Sequence, residues 1–131
     1  MRYAASVEYK GTNFCGWQRQ SSVTSIQEEI ENSLSQIFQS DIKIHGAGRT
    51  DAGVHALGQV FHFDTDIFRP LHSLIKGTNS FLPESIRIKW ITKVPDDFHA
   101  RFSVISREYQ YLLHNSSINS SVWSDLCGWS F

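Results

Sequence analysis

Residues 41–64 read Asp41-Ile42-Lys43-Ile44-His45-Gly46-Ala47-Gly48-Arg49-Thr50-Asp51-Ala52-Gly53-Val54-His55-Ala56-Leu57-Gly58-Gln59-Val60-Phe61-His62-Phe63-Asp64. Two strand patterns flank a glycine-rich stretch. Before it, the short run from Asp41 to His45 turns Ile42 and Ile44 inward. After it, Gln59 to Asp64 alternates, with Phe61 and Phe63 on one face and Val60, His62 and Asp64 on the other. Between the two, Gly46, Gly48 and Gly53 let the backbone turn and a ligand approach, because none carries a Cβ. Within that stretch sits one carboxylate, Asp51, with Arg49 two positions earlier and small alanines around them. Such a loop suits a single acid that must meet a large, flat or anionic ligand. Asp-Ala-Gly is equally ordinary turn chemistry, and from the residues alone both readings stand.

Outward from this stretch the pattern alternates between strand and helix. Residues 2–9 are β-branched and aromatic enough for a first strand. Phe14 to Gln20 is an aromatic and basic loop, whose Phe14 and Trp17 are expected to pack against that strand while Arg19 and Gln20 are placed to reach an RNA backbone. Ser25-Ile26-Gln27-Glu28 is a capping box, and Ile26, Ile30, Leu34, Ile37 and Phe38 recur at helical spacing behind it. Pro70 opens a second helix with Leu71, Leu74 and Ile75 on its apolar side. Ile86 to Val94 alternates as a strand whose polar positions, Arg87, Lys89 and Lys93, suggest a basic strip. Asp96 to Ser103 is a polar connection with buried anchors, and Arg107 to Leu113 is a last strand with Arg107, Tyr109 and Tyr111 on one face. Residues 115–121 turn to Ser and Asn, as linkers do. The expected fold class is α+β, a mostly antiparallel sheet with helices on one face, close to a ferredoxin-like or RRM-like half.

The bulk composition sets bounds on this reading. At 131 residues the chain has the size of one domain, and 40% hydrophobic with 19% charged residues describes a globular protein. No apolar run approaches the length of a membrane span, and no secretory signal pattern opens the chain. Cys15 and Cys127 are too few and too far apart for a disulfide framework or a thiolate metal site, which points to the cytoplasm. A net charge of −1 runs against the basic surplus usual in nucleic-acid binders, unless the twelve Lys and Arg gather on one face. His55 and His62 invite a metal hypothesis, yet no pair of ligands has zinc-like spacing, so no metal and no cofactor are expected.

Gly46 to Ala56 (GAGRTDAGVHA), followed by Gly58-Gln59-Val60 and Phe61-His62-Phe63, resembles the signature of the TruA-type tRNA pseudouridine synthases. The likeness continues in Gly16-Trp17-Gln18, in Asn79-Ser80-Phe81-Leu82-Pro83 and in Phe98-His99-Ala100-Arg101-Phe102-Ser103. The resemblance implies that Asp51 is the catalytic aspartate, with Arg49 as the arginine of the Arg-Thr-Asp core. It implies that Tyr109 contacts the target base, a residue that otherwise reads as a core tyrosine. Arg101 and Arg107 complete the expected substrate-binding set. The implied reaction is isomerisation of uridine to pseudouridine at positions 38–40 of the anticodon arm of tRNA, without a cofactor. The implied assembly is a homodimer with tRNA spanning both subunits, and no membrane is involved.

Members of that family run to about twice this length. The chain is therefore expected to be an N-terminal half, with residues 1–114 as the α/β half-domain carrying the catalytic loop. Residues 115–131 would be a linker and the start of the other half. Two other classes are separable from this reading. A non-catalytic RNA-binding module would hold tRNA without needing Asp51. A metal-dependent hydrolase built on His45, His55, His62 and Asp51 would be stopped by chelation.

Overall fold

Strand β1 (Arg2–Tyr9) runs through the middle of an antiparallel sheet, with β3 (Ala56–Asp64) on one side and β4 (Ile86–Val94) on the other. The three-residue β2 (Ile44–Gly46) pairs with β3 at the far edge, giving the order β2-β3-β1-β4. The computed structural model describes residues 1–12, 14, 16–18, 25–48 and 54–102, and the backbone of 113–115 and 128–130. In the last two segments β5 (Leu113–Asn115) and β6 (Gly128–Ser130) pair in parallel. The expected strand over 107–113 lies mostly outside the described residues.

Helix α1 (Ile26–Phe38) starts where the capping box puts it: the Ser25 hydroxyl accepts the Glu28 backbone N–H at 3.2 Å. Helix α2 (Leu71–Phe81) follows Pro70, which serves as the N-cap and not as the first helical residue. Both helices cover the same face of the sheet. Alternate residues Tyr3, Ala5, Val7 and Tyr9 of β1 meet Phe61 and Phe63 of β3, and Ile26, Ile30, Leu34 and Phe38 of α1 close over them with Leu74 of α2. The rings of Phe38 and Phe63 lie 6.0 Å apart, and Tyr3 stacks on Phe63 at 5.5 Å. Trp17 is buried against Tyr9 and Phe61, at 6.1 and 6.2 Å, so its expected packing role holds. The two helices touch closely, since a Cβ on Gly77 would lie 2.7 Å from Ile37 Cδ1.

The basic strip expected on β4 does not assemble. Ser6 pairs with Trp90 and Val7 with Ile88, which leaves Lys89 as an extra residue and breaks the alternation. The bulge lets Ile88 and Ile91, three apart, both face the helices. Lys93, opposite Tyr3, falls on the helix side, while Lys89 pairs with Glu8 at 4.0 Å. The Arg87 guanidinium turns back on the chain and donates to the carbonyls of Pro83 and Ile86, each at 2.7 Å.

Both edge strands are closed by helix side chains. On β2, the buried Glu31 carboxylate accepts the Ile44 N–H at 2.9 Å and the Gln27 amide donates to the Ile44 carbonyl at 3.3 Å. On β4, the Asn79 amide donates to the Ile88 carbonyl at 3.0 Å and its oxygen accepts the Ile88 N–H at 2.8 Å. Each side chain stands in for a neighbouring strand, which is one way to blunt an edge. Replacing Asn79 by Ala leaves two partly buried backbone groups without this partner and should cost about 1–3 kcal/mol. Urea unfolding measures it: the midpoint should fall with little change in slope, and an unchanged midpoint would show that the edge does without the amide.

Candidate active site

The glycine loop joins β2 to β3, and its two ends are pinned separately. On the incoming side the Ala47 N–H donates to the Val60 carbonyl at 2.8 Å, and the Gln59 amide donates to the Gly48 carbonyl. On the outgoing side the Gly11 N–H donates to His55 Nδ1 at 2.9 Å. Gly11 passes so close to Val54 that a Cβ there would sit 2.0 Å from the Val54 carbonyl oxygen, so only glycine fits. Gly46 is equally confined, because its Cβ would reach 2.7 Å from Trp17 Nε1. The described residues on either side of 49–53 are thus anchored, one end on the sheet and the other on the turn after β1.

Beside the incoming end opens a cleft of about 580 Å³. Gly46, Ala47 and Gly48 form one wall, Trp17, Gln18 and Gln27 another, and His99, Arg101 and Phe102 a third. Of the residues predicted for the site, Arg101 is brought to this cleft, exposed and with its guanidinium 5.8 Å from the centre of the Phe102 ring. Asp51, Arg49, Arg107 and Tyr109 lie outside the described residues. The buried anchor expected in this segment is Ala100, whereas Phe102 stands exposed at the cleft, and His99 had no expected role beyond the motif. The only local signal was an aromatic pair around a buried alanine.

That third wall is held on the face of the sheet away from the helices. Arg2 makes a bidentate pair with Asp64, at 2.8 and 2.9 Å, and its Nη1 donates to the Phe98 carbonyl at 2.6 Å. The hydrogen bond to Asp64 raises the Arg2 pKa, and the same bond holds the Asp64 carboxyl below its usual value. Residues 98–102 then cross the sheet over His62. His62 Nδ1 accepts the Ala100 N–H at 3.0 Å, and His62 stacks on His45 at 4.9 Å and meets His99 edge-on at 4.5 Å. His99 Nδ1 accepts the N–H groups of Arg101 and Phe102, at 3.1 and 3.3 Å, and its ring lies 4.3 Å from that of Phe102.

These histidines work as acceptors and packing rings. Nδ1 of His55 and of His62 each take a backbone N–H, and among the described residues no group of three or more His, Cys, Asp or Glu is arranged to hold a metal. Burial, with Arg2, His99 and His45 nearby, lowers the His62 pKa to about 4. Burial likewise lowers the His99 pKa, with His45, Arg2 and Arg101 adding to it. Chemically, the described residues offer the pinned start of the glycine loop, a cation and a flat aromatic face around one opening.

The model of the tRNA pseudouridine synthase family matches residues 5–103, which include the whole glycine loop and the 98–102 wall. The chain belongs to the tRNA pseudouridine synthase family. It is 52% identical over 122 residues to tRNA pseudouridine synthase A of Glaesserella parasuis, an alignment covering 93% of this chain and 47% of that protein. The protein of the same name from Haemophilus ducreyi is 48% identical, with the same coverage. The one from Shewanella frigidimarina is 47% identical, across 95% of this chain and 48% of its own length. The chain thus spans about half the length of the curated relatives it matches. No helix among the described residues is long and apolar enough to cross a membrane.

The buried neutral His62 makes stability depend on pH with a definite sign. Its folded pKa lies below its ordinary 6.5, so the unfolded chain takes up the proton first. The stabilisation is present above pH 6.5 and is lost as the pH falls towards about 4. Urea midpoints measured across that window should decline, and His62→Gln should remove part of the decline. A variant that keeps the whole slope assigns the titration to another group.

Proposed function

We propose that this chain carries the catalytic loop of a tRNA pseudouridine synthase, with Asp51 as the acid that starts the reaction. One observation supports the reading: of the stretch that bears the family signature, residues 46–48 and His55 are held by hydrogen bonds to the sheet and to the turn after β1, and 46–48 line a cleft of about 580 Å³. The reaction breaks the N1–C1′ bond of uridine, turns the uracil and joins C5 to C1′, with the C5 hydrogen leaving to water and N1 gaining a proton. It consumes no redox equivalent and no energy source, so a carboxylate and a shaped cleft suffice. Asp51 either attacks C1′ or C6, or takes the 2′ proton to give a glycal.

A base stacked in a stem is out of reach, so the target uridine must be flipped out at a cost of about a few kcal/mol. Arg49 fills the vacated place or holds a phosphate, Arg101 and Arg107 meet the RNA backbone, and Tyr109 holds the uracil. The substrate we infer is the anticodon arm of tRNA at positions 38–40, recognised more by shape than by base edges. Residues 1–114 make up the α/β half-domain and 115–131 lead towards a second half. In the longer protein we infer a cytoplasmic homodimer with tRNA spanning both subunits.

Tritium release from tRNA bearing C5-tritiated uridine, assayed in a protein of the relatives' length, tests the assignment. Asp51→Asn is nearly isosteric and should abolish release while the melting temperature stays put. A variant keeping a tenth of wild-type turnover would remove Asp51 from its role.

Tyr109→Leu probes the base contact. A stacked base is worth about 1–3 kcal/mol, so kcat/KM should fall roughly five- to a hundredfold, whereas Tyr109→Phe keeps the stacking. If Tyr109→Leu instead lowers the melting temperature sharply and leaves turnover normal, Tyr109 is a core residue.

A further inference from the structure

Phe102 is 78% exposed on the wall of the cleft, a large apolar ring that joins no core cluster among the described residues. It is nonetheless held in place. The buried Ala100 donates its N–H to His62, and His99 accepts the N–H groups of both Arg101 and Phe102, so the turn is fastened at three successive amides. The underside of the Phe102 ring rests on His99 at 4.3 Å and an interplanar angle of 32°, and His99 rests edge-on against His62, itself 1% exposed. The Arg101 guanidinium stands 5.8 Å from the ring centre. A flat aromatic face beside a cation, fixed by the backbone and open to a cleft, is the chemistry that takes an unpaired base and its phosphate.

We propose that Phe102 and Arg101 form a second stacking site in the cleft for an unpaired RNA base next to the target uridine, and that His99 is the positioning residue that holds them there. The proposal rests on the RNA-modifying reading above. It adds a preference for looped over fully paired RNA that comes from this turn and not from the catalytic loop. His99 acts through its Nδ1 lone pair, so a side chain with an acceptor at a similar reach can replace it. Asparagine provides one, because its amide oxygen bonds N–H groups two and three residues on.

The test compares binding of the full chain to two RNAs, an unmodified hairpin with a single-stranded loop and a fully paired duplex of equal length. Phe102→Leu should weaken hairpin binding roughly five- to a hundredfold and leave duplex binding within twofold, and Phe102→Trp should keep wild-type affinity. His99→Ala should weaken hairpin binding in the same sense, and His99→Asn should restore it. Hairpin affinity unchanged in Phe102→Leu, equal losses on both RNAs, or a wild-type chain that binds neither RNA would each overturn the stacking site. The isomerase reading fails separately, through tritium release and Asp51→Asn.

Discussion

The carboxylate of Glu31, buried on α1, accepts the backbone N–H of Ile44, while Gln27 one turn earlier takes the carbonyl of the same residue. A strand of three residues has little pairing of its own, and β2 has only β3 on one side. The two helix side chains supply the other side. A charge-assisted bond to a backbone N–H is stronger than a neutral one, which suits a single contact that must fix an edge. Trp17 completes the clamp from the same direction, with its indole where a Cβ on Gly46 would be. The place and direction from which the glycine loop departs depend on this clamp, and so does the wall that Gly46 to Gly48 give the cleft.

The same device closes the opposite edge, where Asn79 of α2 bonds both backbone groups of Ile88. The helices therefore do more than cover the apolar face. Each contributes a polar side chain that ends the sheet, and each does so beside a buried isoleucine whose side chain points into the core. Core packing and edge satisfaction are set by the same two helices, so a shift of either one disturbs both.

On the far face the sheet is finished in another way. Arg2 binds Asp64 across the strand pair and reaches the Phe98 carbonyl, drawing residues 98–102 over His62. A histidine buried there has its Nδ1 satisfied by Ala100, so its burial costs little while it stays neutral. The stack of His62, His99 and Phe102 carries this order outward from the buried sheet to an exposed ring at the cleft.

Local chemistry in the sequence sufficed for the two helices, for the strands β1, β3 and β4, and for the family. The capping box at Ser25, the helical spacing from Ile26 to Phe38 and the alternation around Phe61 and Phe63 depend on neighbours within a few residues, and the structure has them in place. The glycine loop was legible for the same reason, since its chemistry is written in one contiguous string. The long-range partners were not legible. Nothing near Glu31 marks it as a buried clamp for Ile44, nothing near Asn79 as the partner of Ile88, and the bulge at Lys89 appears only when β4 takes its register from β1. Arg87 reads as part of a charged strip until the preceding turn offers it carbonyls. The cleft itself joins Gly46–Gly48 to His99–Phe102, more than fifty positions apart, and Arg2, at the start of the chain, is what draws those later residues across the sheet. Which residues share a face can be read from their spacing, but which faces meet is decided only by folding.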